Sequence, residues 1–113
     1  MTLRAVPVGV GHYLPDRIVP NSEFEATLDT NDEWIRSRSG IERRHFAAED
    51  ETTSQMAVKA AQRALLMAEL APDDIDAVIV ATSTPDLTFP SVGTMVQQGL
   101  GMTRGFAYDL QAV

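Results

Sequence analysis

From Asp76 to Ala81 the chain reads Asp-Ala-Val-Ile-Val-Ala, a near-continuous apolar run. A strand of that kind is expected to be buried on both faces, and so to belong to a parallel sheet. The segment before it narrows the choice further. Between Thr53 and Leu70, residues Met56, Ala57, Ala60, Ala61, Ala64, Leu65 and Ala68 recur at three- and four-residue spacing, which predicts a helix with one apolar face. Alanines dominate that face, so the helix is flat and suited to lie directly on a sheet or on another helix. Lys59, Gln62, Arg63 and Glu69 fall on the opposite face, and Ala71-Pro72-Asp73-Asp74 ends the helix.

The rest of the chain fits an α/β unit with right-handed crossovers. Leu3 to Val10 carries three valines in loose alternation and predicts a strand, with Pro7 consigning it to an edge or a bulge. Gly9-Val10-Gly11 resembles the start of a dinucleotide fingerprint. Leu14 stands where the third glycine belongs, however, and Pro15 blocks the helix that would receive a pyrophosphate, so no such site is expected. A short helix starts at Asn21-Ser22-Glu23, with Asn21 or Ser22 as its cap. Another starts at Thr30-Asn31-Asp32-Glu33 and stops at Gly40. Arg44 to Thr53 reads as an exposed polar loop holding the acidic run Glu49-Asp50-Glu51. Ser91 to Leu100 predicts a helix ending at the Gly99/Gly101 pair, and Gly105 to Leu110 a last strand. The terminal Ala112-Val113 is apolar, and the sheet edges and alanine face call for further neighbours. The chain is therefore expected to be part of a larger domain.

Composition excludes several classes. The 113 residues hold 44% hydrophobic side chains, no cysteine and 16 acids against 9 bases, a formal net charge of −7. Disorder and a disulfide-stapled scaffold are ruled out. Nucleic acid is not expected as the main partner, since phosphate binding needs a basic footprint. The longest apolar run, Ala77 to Ala81, is far short of the ~20 residues that span a bilayer, so membrane insertion is not expected. The absence of cysteine and of a signal-peptide pattern favours a reducing, cytoplasmic setting. Arg36, Arg38, Arg43 and Arg44 nevertheless lie within nine residues and make a local basic patch. Such a patch on an acidic chain suits a small phosphorylated ligand, an acidic partner, or simply solvent.

The ordered strings go further. Asp29-Thr30-Asn31-Asp32-Glu33-Trp34-Ile35, then Arg38-Ser39-Gly40-Ile41-Glu42-Arg43-Arg44-His45, resembles the early signature of β-ketoacyl-acyl carrier protein synthase III. Gly9 with His12-Tyr13-Leu14-Pro15 precedes it. Val80-Ala81-Thr82-Ser83-Thr84-Pro85, Phe89-Pro90-Ser91 and Ala107-Tyr108-Asp109-Leu110 follow in the same order and spacing. The resemblance covers essentially the whole chain and about the first third of such an enzyme. It implies a thiolase-like fold, layered α-β-α-β-α, of which residues 1–113 form the N-terminal part of the first half. The remainder of that half and the whole second half lie outside the sequence.

The family joins a short acyl-CoA, typically acetyl-CoA, to malonyl-acyl carrier protein with decarboxylation, and so starts fatty-acid synthesis. The resemblance implies a coenzyme A thioester as substrate, an acidic acyl carrier protein as partner, a homodimer, and no permanently bound cofactor or metal. The alternatives are a paralogous synthase with another starter unit, of polyketide or quinolone type, and a non-catalytic CoA-binding module. None of the family's catalytic residues falls in this chain. Its nucleophilic cysteine is expected directly after Val113, and the chain's end there is expected to reflect that thiolate's own reactivity. The catalytic histidine and asparagine belong to the absent half. His12 reads as a turn residue and His45 as a surface or packing residue, so the 113-residue chain alone is not expected to be active.

Three residues carry over to CoA. Trp34 and Arg38 match the pair that sandwiches the adenine, and four-residue spacing puts an indole and a guanidinium on one helix face. Thr30, at the expected helix cap, matches the residue that hydrogen-bonds the base. Phe89 matches a loop residue that crosses the dimer interface to line the partner's acyl pocket. Arg36, Arg43 and Arg44 are candidates for the phosphates or for the carrier protein, their separate roles left open. The hydroxyls of Thr82, Ser83 and Thr84 stand at a strand's C-terminal end, where α/β sheets place ligands or where the loop bonds to itself.

Overall fold

The computed structural model describes residues 1–111, so the expectations placed at Ala112-Val113 lie outside the described residues. The described chain forms two compact units.

One unit runs from Leu14 to Asp50. Strand β1 (Arg17–Pro20) pairs antiparallel with a later strand, Arg43–Phe46, so that Arg17 faces Phe46 and Pro20 faces Arg43. Helices α1 (Ser22–Glu25) and α2 (Asp32–Ser39) lie between them in sequence, and the later strand is β2 (Arg43–Phe46). Val19, on β1, is 2% exposed and is the unit's buried aliphatic side chain. The expected polar loop after Arg44 is thus partly a strand. Three of its four residues are polar, and the strand pairs only with a distant segment, a contact that local pattern does not report. Helix α2 ends as expected: Gly40 takes the left-handed conformation at φ 73, and its amide donates to the Arg36 carbonyl at 2.8 Å. Its cap, however, is Asn31, whose side chain accepts from the Trp34 amide at 2.8 Å, and not Thr30. Asn31 is extended and one residue nearer the first helical turn, so its oxygen reaches the third amide.

The other unit comprises Met1–Tyr13 and the chain from Glu51 onward. Helix α3 (Thr53–Ala68) opens with a capping box in which Thr52 and Gln55 exchange side-chain and backbone bonds. A single 3₁₀ turn, Pro72–Asp74, leads into strand β3 (Ala77–Ala81). Helix α4 (Val92–Gly99) follows, and strand β4 (Phe106–Leu110) returns parallel to β3, with Ala77 beside Phe106 and Ala81 beside Leu110. This is the expected parallel βαβ unit. Helix α4 packs on α3 and on both strands and supplies the core residues Val92 and Val96. Two expectations change. Ile79 in the middle of β3 is 53% exposed, because β4 is its one neighbour and the helix covers one face of the pair among the described residues. Leu3 to Val10 is not a strand. Among the described residues no strand lies beside it to exchange hydrogen bonds, and its glycines instead run tight against α3: a Cβ on Gly11 would stand 2.2 Å from the Ala60 carbonyl oxygen, and one on Gly9 2.5 Å from that of Ala64. The alanine face thus packs in part against bare backbone, which explains both the small residues and the glycines opposite them.

Candidate functional site

Within the Leu14–Asp50 unit, a hollow of ≈ 640 Å³ is lined by Phe24, Leu28, Asp29, Thr30, Trp34, Ile35, Arg44 and Phe46. It is largely apolar and bounded by aromatic rings, as small-molecule sites usually are. Phe24 and Phe46 meet edge to face with centroids 6.2 Å apart. The Arg44 guanidinium lies 4.6 Å from the centre of the Phe24 ring. Two polar atoms in this lining are buried without a hydrogen-bond partner among the described residues, the Thr30 hydroxyl and one Arg44 terminal nitrogen, Nη1. Buried donors left unpaired are costly, and they concentrate where structure is kept for function.

The structure brings Trp34 and Arg38 together on α2. The Arg38 guanidinium stands over the indole at 5.0 Å from the ring centroid, and Trp34 is 54% exposed. That separation leaves no room for a ring between them, since an inserted purine needs two contacts of about 3.5 Å each. With Arg38 in this position, the other face of the Trp34 ring is the one open to a flat ligand. Thr30 lies in the same lining as Trp34.

The other arginines separate. Arg36 is engaged by acids on its own unit, Asp32 at 3.5 Å and Glu42 at 3.2 Å, so its charge is largely met. Arg43 and Arg44 alternate along β2 and point to opposite faces. Arg44 is half-buried and donates through Nη2 to the Asn21 side-chain oxygen at 3.1 Å, while Arg43 is exposed. His45, also on β2, contacts the Pro15 carbonyl oxygen through Nδ1, and His12 gives its carbonyl to Arg63. His45 thus packs within its unit as expected, whereas His12 lies in an extended stretch with no turn at its position.

In the second unit Phe89 is 85% exposed and lines a separate hollow of ≈ 340 Å³ with Thr82, Pro85, Leu87, Ser91 and Asp109 at the C-terminal end of β3 and β4. Two carboxylates of this unit fasten helix starts, and of the two only Asp109 lines the hollow. Asp109 accepts from the amides of Val92 and Gly93 at 2.7 and 2.6 Å and so fastens the start of α4 to β4. Asp86 accepts from the Ser54 amide and hydroxyl at the start of α3. Burial works against its charge, but the bonds from Ser54 and Thr52 outweigh that and hold its carboxyl below the usual aspartate range. Thr82 and Thr84 bond to one another within their loop. The sequence did not reveal the long-range roles of Asn21, Asp86 and Asp109. Each is a polar side chain whose partner lies at least eleven residues away, and no local pattern marks such a pair. Among the described residues no group of three or more acidic or histidine side chains is placed to hold a metal ion, and no helix is long and apolar enough to cross a membrane.

No family model matches the chain. Whole proteins do. β-Ketoacyl-[acyl-carrier-protein] synthase III of Jannaschia sp. (strain CCS1) is 78% identical over 115 residues, which cover 100% of this chain and 35% of that protein. The protein of the same name from Roseobacter denitrificans is 76% identical over 113 residues with the same coverage. The resemblance to the N-terminal part of β-ketoacyl-acyl carrier protein synthase III is borne out. Solved structures agree on the fold: 3-oxoacyl-[acyl-carrier-protein] synthase III from Aquifex aeolicus superposes with a TM-score of 0.87 at 43% identity, over 93% of this chain and 34% of that one. The priming β-ketosynthase of the R1128 polyketide pathway superposes with 0.86 at 39% identity, over 93% of this chain and 31% of that one. The fold is accordingly α/β and an incomplete portion of the thiolase-like architecture. The chain spans about a third of the length of the curated relatives it matches.

Proposed function

We propose that these 113 residues form the acyl-CoA-facing, N-terminal part of a condensing enzyme that joins acetyl-CoA to malonyl-acyl carrier protein, with decarboxylation, to start fatty-acid synthesis. The observation that carries the reading is the 78% identity, across the whole chain, to a protein named β-ketoacyl-[acyl-carrier-protein] synthase III. The geometry supports it at the nucleotide end. An exposed indole on α2, a guanidinium on its face and an apolar hollow beside it suit a flat purine, which every CoA thioester carries.

In this reading Trp34 stacks the adenine and Thr30 bonds its edge, with Arg38 closing over the base once it has entered. Arg43, exposed and not ion-paired among the described residues, faces anionic groups, either the CoA phosphates or the acidic carrier protein. Arg36 acts within the protein, since Asp32 and Glu42 already answer its charge. Phe89 lines an acyl pocket across a homodimer interface. The nucleophilic cysteine, the catalytic histidine and asparagine, and the rest of both thiolase-like halves belong to the full-length protein, which works in the cytoplasm without a bound cofactor or metal.

The test is the reaction itself. Full-length protein carrying this sequence, given acetyl-CoA and malonyl-acyl carrier protein, is expected to yield acetoacetyl-acyl carrier protein, free CoA and carbon dioxide. A mass increase of one acetyl group on the enzyme is expected when malonyl-acyl carrier protein is withheld. Turnover only with a longer or aromatic starter would favour the polyketide-type reading that the R1128 ketosynthase suggests. No acylation by any acyl-CoA would overturn the enzyme reading.

A further inference from the structure

Helix α2 presents Trp34 and Arg38, yet none of its residues is fully buried. A helix of eight residues with no buried side chain is not fixed by apolar packing, and in isolation it would be marginal. Glu25 accepts from the Asp32 amide at 2.9 Å, and the side chain that reaches both ends of the helix is Asn21. This side chain is 0% exposed and makes three bonds to three segments. Its amide nitrogen donates to the Asp32 carboxylate at 2.9 Å, at the helix's first residue, and to the Ile41 carbonyl at 2.7 Å, just past its last turn. Its oxygen accepts from Arg44 Nη2 at 3.1 Å. The Asn21 backbone amide adds a bond to the Glu42 carbonyl at 3.2 Å. One buried amide therefore holds both ends of α2 and anchors the arginine that walls the hollow beneath it.

Asn21 stands at the N-cap position of α1 but makes no side-chain cap bond there. Its hydrogen-bonding capacity is committed to α2 and β2 instead. We propose that Asn21 is a positioning residue for nucleotide binding: it sets the height and angle of α2, and through Arg44 the wall of the hollow, so that Trp34 meets the base of an acyl-CoA. The proposal rests on the reading of Trp34 as the stacking platform. Asn21 itself touches no substrate.

The contact to Asp32 supplies the test, because Asp32 is half-exposed and its replacement spares the core. Asp32→Asn keeps an oxygen that accepts from Asn21 and removes only charge, whereas Asp32→Ala removes the acceptor. In the full-length enzyme Asp32→Ala is expected to raise KM for acetyl-CoA by about threefold to tenfold, the worth of one hydrogen bond. Single-turnover condensation from pre-acetylated enzyme and KM for malonyl-acyl carrier protein are expected to stay at the wild-type level. Asp32→Asn is expected to stay within about twofold of wild type in all three. Asn21→Asp sets two carboxylates against each other and is expected to raise the same KM further. Adding Asp32→Asn to it restores a donor and is expected to recover part of the loss.

A purely structural role would lower stability and both kinetic constants together, with no difference between the acetyl-CoA and carrier-protein parameters; that result overturns the proposal. Equal KM for Asp32→Ala and Asp32→Asn overturns it as well, and this pair decides the matter if Asn21→Asp fails to fold. Trp34→Ala, measured alongside, separates the two ideas. An unchanged acetyl-CoA KM in Trp34→Ala defeats the stacking platform, whereas a raised KM there with no effect at Asp32 or Asn21 defeats only the positioning role.

Discussion

At the scale of single residues, the recurring device is a polar side chain that ties one element's end to another. Asp86 does this for α3, Asp109 for α4 and Asn21 for α2. Sequence alone made Asn21 visible as a helix-cap residue and placed the helix correctly, but its side chain bonds across the fold instead of to its own helix. Asn31 took the cap that Thr30 was expected to hold, because cap geometry turns on one residue of extended backbone. Asp86 carries a prediction. Its folded-state carboxyl titrates below the ordinary aspartate value, so its contribution is complete above about pH 4 and is lost as pH falls through the lower, folded value. Asp86→Asn is expected to lower the melting temperature at pH 7, with the gap to wild type closing in melts recorded below pH 4. A gap that persists undiminished at pH 3 would contradict the assignment.

At the scale of elements, helices announced themselves and the small sheet did not. The period of Met56 to Ala68 and the glycine at position 40 predicted α3 and the end of α2 from local chemistry, and an apolar run predicted β3. Strands β1 and β2 carry no such pattern: Arg-Ile-Val-Pro is four residues long and ends in proline, Arg-Arg-His-Phe is short and mostly polar, and each exists because the other lies opposite it. The valines of Leu3 to Val10 show the reverse case, strand propensity without a partner strand. That segment's contact with α3 depends on bare backbone. Gly11→Ala is expected to destabilise the protein by about 2 kcal/mol or more, because its methyl group would overlap the Ala60 carbonyl and the Ala64 amide. Thr52→Ala removes the capping box and is expected to cost about 1 kcal/mol. Denaturant unfolding of the two variants checks both, and a Gly11→Ala protein as stable as wild type would refute the close approach.

At the scale of the whole molecule, the class and the family resemblance were legible because the motif strings occur in order along the chain, whereas the hollow was not. Phe24, Leu28 and Phe46 join Trp34 only through the pairing of β1 with β2. The parallel pair leaves Ile79, Phe106, Tyr108 and Leu110 substantially exposed among the described residues. A polypeptide of residues 1–113 expressed alone is therefore expected to self-associate, visible as high-mass species in gel filtration and poor amide dispersion. A monodisperse, cooperatively melting product would instead favour the CoA-binding module. In the proposed function, α2 offers an aromatic platform to the nucleotide of an acyl-CoA. Calorimetric titration of CoA into the full-length protein and its Trp34→Ala variant tests this most directly. The variant is expected to bind more weakly by about 1–3 kcal/mol, the range for loss of one base-stacking ring, while melting at the wild-type temperature. Equal affinity of the two proteins for CoA would contradict it.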